Sequence, residues 1–99
     1  MKHSLPLARH QAPAVVSAFR ALAHESRLRI FAHLVRAGRE LPVGEIQEAL
    51  GIPGPTLSHH LDRLRRAGLL AARKEDRRVF HSVRRETVIE LVRLLTACC

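Results

Sequence analysis

Aromatic residues are scarce: the 99-residue chain has three Phe and neither Tyr nor Trp. Its core must be assembled from Leu, Val, Ala and Ile, a choice that favours helices. Cysteine is confined to two adjacent positions, Cys98 and Cys99. That excludes a disulfide-stapled secreted scaffold and predicts reduced thiols in a cytoplasmic protein. No apolar run approaches the ~20 residues that cross a bilayer, and the N-terminus lacks the apolar stretch of a signal peptide, so no membrane partner is expected. Acidic residues are few, nine against seventeen Lys and Arg, which leaves a net charge of +8. Such a surplus concerns partners, nucleic acid or an anionic surface, and not the fold. No nucleophile with its base and orienting group stands out, and no Gly-rich phosphate loop or paired carboxylates do either. An enzyme is therefore not expected.

The charge is concentrated. Between Leu61 and Arg85 nine Lys and Arg face three acids, so a quarter of the chain holds +6 of the +8. A stretch this basic predicts a phosphate-binding surface. The segments around it can be read from periodicity and punctuation. Residues 1–12 mix Lys, His, Pro and Gln and predict a flexible N-terminal arm, and residues 13–99 predict a single domain. Val15, Val16, Phe19 and Leu22 recur at helical spacing after Pro13. Leu28, Phe31, Leu34 and Val35 form the stripe of a second helix, which Gly38 stops. Leu41-Pro42 reads as a connector. Ile46 and Leu50 mark a short third helix ended by Gly51. A fourth runs from about Pro55 to Ala67, with Leu57, Leu61 and Leu64 facing inward. Two helices joined by the tight turn Gly51-Ile52-Pro53-Gly54 predict a helix-turn-helix. The period then changes to two: Leu69 to Arg73 and Val79 to Val83 predict a hairpin with the charged tip Lys74-Glu75-Asp76-Arg77-Arg78. A last helix, about Glu86 to Ala97, is apolar on nearly every side and calls for a partner on two faces.

These segments carry a resemblance. Ala21-Leu22-Ala23-His24-Glu25-Ser26-Arg27-Leu28-Arg29-Ile30, Leu50-Gly51-Ile52, Thr56-Leu57-Ser58-His59-His60-Leu61 and Leu64-Arg65-Arg66-Ala67-Gly68-Leu69 are similar to the ArsR/SmtB family of ligand-responsive bacterial repressors, from about residue 14 to the end. The resemblance implies a mainly α winged helix-turn-helix with a β-hairpin wing. Its order is four helices, two strands and a fifth helix, and its homodimer docks through the first and last helices. It also implies double-stranded operator DNA as partner. Thr56, Ser58, His59 and His60 would read the major groove, aided by Arg63, and wing residues Arg73, Lys74, Arg77 and Arg78 would contact phosphate or the minor groove. Pro53, Gly54 and Pro55 depart from the polar residues often found where the recognition helix begins, so operator preference is expected to differ.

Ligand sites distinguish members of this family. Pro42-Val43-Gly44 stands where one arsenic site has Cys-Val-Cys, and the last helix has Glu86 and Glu90 but no His for a zinc site. His3, His10, His24, His33 and His81 show no metal-ligand spacing and are expected to be structural or solvent-facing. Cys98-Cys99 resembles sensors whose thiolates end the last helix, which implies As(III) or Sb(III) as inducer and no required cofactor. Soft thiolates suit a soft metalloid that takes three sulfurs. The third would come from the other subunit, from a small thiol, or from a natural chain that runs past Cys99. Oxidation by peroxide or reactive sulfur, binding of Zn or Cd, and no role at all stay open for the pair. So does a winged-helix protein-interaction module without DNA readout.

Overall fold

The structure, a computed structural model, describes residues 12–97. The arm expected at residues 1–12 lies almost wholly outside these residues, as do Cys98 and Cys99. Eight elements follow in order: α1 (Ala12–Leu22), α2 (Glu25–Ala37), β1 (Leu41–Pro42), α3 (Val43–Leu50), α4 (Gly54–Arg66), β2 (Leu70–Glu75), β3 (Arg78–Val83) and α5 (Arg85–Thr96). This is the expected winged helix-turn-helix with one strand more. Leu41-Pro42, expected as a connector, pairs antiparallel with β3, Leu41 opposite His81 and Pro42 opposite Phe80. The sheet order is β1-β3-β2.

Local chemistry sets the helix limits. His24 caps α2 with its ring, Nδ1 accepting from the Ser26 amide at 3.2 Å. Gly51 ends α3 in the left-handed region at φ 66°, and its amide donates to the Gln47 carbonyl. That conformation suits a residue without Cβ and turns the chain sharply into α4. The Gly68 carbonyl accepts from the Thr87 hydroxyl at 2.6 Å, which ties the end of α4 to the start of α5.

The core is aliphatic. Ile30, Leu34, Leu41, Ile46, Leu57, Leu61, Leu64, Leu69 and Leu70 are fully buried. Leu57, Leu61 and Leu64 thus take the inward face that their spacing predicted, and they fix which side of α4 meets solvent. The stripe expected on α2 is corrected. Leu28 and Val35 are about half exposed, and Arg27, Ile30 and Leu34 are the buried residues. On α1, Ala18 and Ala21 are buried while Val16 and Phe19 point outward. The small alanines let α1 approach its neighbours closely, which leaves the larger side chains to the surface. α5 buries only Leu91 and exposes Ile89, Val92 and Leu95. No helix among the described residues is long and apolar enough to cross a membrane.

Candidate nucleic-acid interface

α4 presents one face to solvent because its leucines occupy the other. Pro55, Thr56, Ser58, His59, Arg63, Arg65 and Arg66 are exposed, and Asp62 lies among them. Small hydroxyls, an imidazole and guanidinium groups on an accessible helix supply the donors and acceptors that base edges and phosphates require. Asp62 organises the basic end of this face. Its carboxylate accepts from Arg65 at 2.8 Å and pairs with Arg66 at 2.9 Å. The Arg65 hydrogen bond holds the Asp62 carboxyl below its ordinary range. Arg63 has no acidic partner among the described residues. The i,i+3 and i,i+4 spacing of Asp62 to these arginines was legible in the sequence, yet Asp62 was not among the expected site residues.

His60 departs from expectation. It was expected to read the groove, but it is only 6% exposed. The His24 ring lies 4.7 Å away between centroids. Beneath it Arg27, itself buried, donates from Nε to the Ala21 carbonyl at 2.6 Å and brings Nη1 to 3.5 Å from His60 Nδ1. Burial first, then the neighbouring His24, Arg27 and His59, pushes the His60 ring below the ordinary histidine range. The ring is neutral at pH 7, and Nδ1 is the acceptor facing the guanidinium. His60 is therefore the inner anchor of α4, with the exposed His59 beside it at 5.8 Å between ring centroids. Arg27 closes the last turn of α1, where carbonyls lack helical partners and a cation is favoured. One buried point thereby joins α1, α2 and α4.

The wing projects from the end of α4. β2 and β3 pair from Leu70 opposite Val83 to Glu75 opposite Arg78, and Asp76 takes the turn at φ 56°. Lys74, Arg77 and Arg78 are exposed and carry no ion pair among the described residues. Arg73, expected with them as a DNA contact, is engaged elsewhere. It pairs with Glu40 at 2.6 Å and with Glu75 at 2.6 Å. His81, expected to be structural or solvent-facing, is buried at the root of the wing. Its Nδ1 has no hydrogen-bond partner among the described residues. Burial, then Arg65, lowers its pKa.

Known proteins place this geometry. Residues 22–73 match the family model described as a helix-turn-helix domain. The transcriptional activator HlyU of Vibrio cholerae is 39% identical over 87 residues, which cover 88% of this chain and 78% of that protein. Its solved structure superposes with a TM-score of 0.72 at 32% identity, over 91% of this chain and 99% of that one. The chain belongs to the ArsR/SmtB helix-turn-helix transcriptional regulators. The biofilm growth-associated repressor of Agrobacterium fabrum is 33% identical over 93 residues, or 94% of this chain and 78% of that protein. A Mycobacterium bovis domain has a TM-score of 0.72 at 30% identity, over 93% of this chain and 86% of that one. It is described as a homodimeric winged helix-turn-helix and a possible ArsR-family regulator. A second form of the V. cholerae protein, described as reduced HlyU, has a TM-score of 0.69 at 33% identity over 84% of this chain and 87% of that one. Family membership makes this protein a DNA-binding transcriptional regulator and not an enzyme.

Proposed function

We propose that this ArsR/SmtB regulator is a ligand-responsive repressor that grips an inverted-repeat operator as a homodimer. Capture of As(III) or Sb(III) by the thiolates of Cys98 and Cys99 releases it. The observation that carries the reading is the division of the surface. A polar and cationic face lies on α4 and the wing, while the terminal helices α1 and α5 expose Val16, Phe19, Ile89, Val92 and Leu95 at 37–61%. That many large apolar side chains on two helices are best covered by a second subunit, and the M. bovis relative is described as homodimeric. Two-fold symmetry would set the two α4 helices in successive major grooves about one helical turn apart. Blocking transcription from that position follows the A. fabrum relative, which is named a repressor.

The donor set favours a metalloid at the C-terminal pair. Among the described residues no group of three or more His, Cys, Asp or Glu could hold a metal ion. Cys98 and Cys99 supply two of the three sulfurs that As(III) takes, and a third would come from the other subunit, from a small thiol or from a natural chain that runs past Cys99. The pair follows α5 directly, so ligand capture there acts on a helix of the proposed dimer interface. A coupling of about 1–3 kcal/mol between the two sites would lower DNA affinity from several-fold to a hundredfold. A second reading has its own support, because the V. cholerae relative has a form described as reduced. In that reading the thiols form disulfides between subunits under oxidation, since adjacent cysteines close a strained ring on each other.

The deciding experiment is fluorescence anisotropy on the protein's own upstream DNA at near-physiological salt. Reduced protein is titrated with arsenite, antimonite, zinc, cadmium and, separately, peroxide. Arsenite release that disappears in a Cys98→Ser, Cys99→Ser variant supports the metalloid reading. Release by peroxide alone moves the cysteines to redox sensing. Indifference to all five agents removes the sensing role and leaves the operator binding.

A further inference from the structure

Five side chains on the outer face of the sheet form a cluster, and for four of them, Glu40, Arg73, Glu75 and Phe80, DNA contact offers no account. Arg73 on β2 stands opposite Phe80 on the central strand β3, and Glu40 immediately precedes β1 on the far edge. The Arg73 guanidinium lies over the Phe80 ring, 4.6 Å from its centroid. From there Nε reaches Glu40 Oε2 at 3.1 Å and Nη2 reaches Oε1 at 2.6 Å, a two-pronged grip. Nη1 donates to Glu75 Oε1 at 2.6 Å. Arg78 covers the same ring at 5.1 Å. One arginine thus spans all three strands, from one edge of the sheet to the other.

Planar, bidentate pairing and stacking on an aromatic ring are the two contacts that fix a guanidinium most firmly, and a lysine could supply neither geometry. With two carboxylates bound, Arg73 presents no net positive charge to a phosphate. The connector between α2 and β1 is held to the body by the buried Leu41, so Glu40 is a fixed post. Its grip on Arg73 sets the angle at which the hairpin leaves the domain, and with it where Lys74, Arg77 and Arg78 meet DNA.

We propose that Glu40 is a positioning residue for DNA binding: it straps Arg73 across β3 and so fixes the wing relative to α4, with Arg73 serving as a strut and not as a phosphate contact. The proposal rests on the operator-binding reading and predicts a sign that simple electrostatics does not. Removing an acid next to a DNA-binding surface should tighten binding if charge alone matters. Loosening the wing should weaken it.

The test compares wild type, Glu40→Gln, Glu40→Ala, Arg73→Ala and the Glu40→Ala, Arg73→Ala pair by anisotropy on operator and scrambled DNA across a salt series. Hydrogen exchange of residues 70–83 is measured in the free proteins. Gln and Ala remove the same charge, but Gln still accepts one hydrogen bond from Arg73. The strap therefore predicts an operator affinity order of Glu, then Gln, then Ala, with Ala about two- to fivefold weaker than wild type. Arg73→Ala should lose as much, and the double variant no more than either single. Wing exchange should quicken in Glu40→Ala, whereas melting temperature should barely move, since an exposed ion pair contributes about 1 kcal/mol or less. Tighter binding by Glu40→Ala overturns the proposal. So does a salt slope steeper by about 0.9, which would mean that Arg73 had been freed onto a phosphate. Unchanged wing exchange in Glu40→Ala overturns the strap itself. Failure of the operator reading looks different: wild type would not prefer operator over scrambled DNA, which sinks both while leaving the exchange result intact.

Discussion

Acid should destabilise this domain well before its carboxylates protonate, because two histidines are buried in the neutral form. His60 and His81 are each 6% exposed, and burial is the leading cause that lowers both pKa values. His60 faces His24, Arg27 and His59 with no carboxylate to favour its proton. In the unfolded chain both rings titrate near the ordinary value of about 6.5. Below that pH the unfolded state takes up protons that the native state refuses. Stability contributed by these rings is thus complete above about pH 6.5 and is lost as pH falls toward their depressed native values. The unfolded value alone sets the ceiling: going from pH 7.5 to 5.5 costs at most about 1.4 kcal/mol for each ring and about 2.7 kcal/mol together. That is a large fraction of the roughly 5–15 kcal/mol that holds a small domain folded. Glu40 and Asp62, whose pKa values are lowered by Arg73 and Arg65, act in the same direction but only below the carboxylate range. The two windows therefore separate. Urea unfolding at pH 7.5, 6.5 and 5.5, at one protein concentration, reads the slope. His60→Asn places an oxygen where Nδ1 accepts from Arg27 yet cannot titrate, and should abolish about half of the loss. His81→Phe should remove most of the rest. A flat wild-type profile, or a double variant that keeps the full slope, would refute the reasoning.

Two further outcomes follow from the surface. Val92→Asp puts a charge on the exposed apolar side of α5 and should convert a dimer to monomers in sedimentation equilibrium; an unchanged dimer would remove that side of α5 from the interface. Arg63→Ala should weaken binding to operator and unrelated DNA alike and reduce the magnitude of the log affinity against log salt slope by about 0.9, while an unaltered slope would take Arg63 off the phosphates.

Much of the fold was legible because it is set by neighbours in sequence. Leu57, Leu61 and Leu64 recur at the spacing that buries one face of α4, and Gly51 marks a left-handed turn that few other residues tolerate. The alternation from Val79 to Val83 signalled β3. The stripe on α2 was misread for a physical reason. Periodicity gathers apolar residues on one side of a helix but does not say which side the rest of the chain will cover. Leu28 and Val35 were left outside. Arg27 could go inside only because the Ala21 carbonyl and His60, from α1 and α4, came to meet its guanidinium. β1 escaped notice because two residues carry no period, and it is a strand only where β3 supplies the partners.

The site divides along the same line. The sequence by itself determined where the recognition helix and wing lie, that their surroundings are basic, and which leucines turn Ser58, His59 and Arg63 outward, since each follows from helical spacing and composition. Tertiary structure decided the charge states and the loyalties of individual side chains. His60 is an anchor and not a reader because His24 and Arg27 cover it. Arg73 is paired because Glu40, 33 positions earlier, is carried to it across a three-stranded sheet. Contacts between residues that far apart depend on how the layers stack, and no local pattern encodes the stacking.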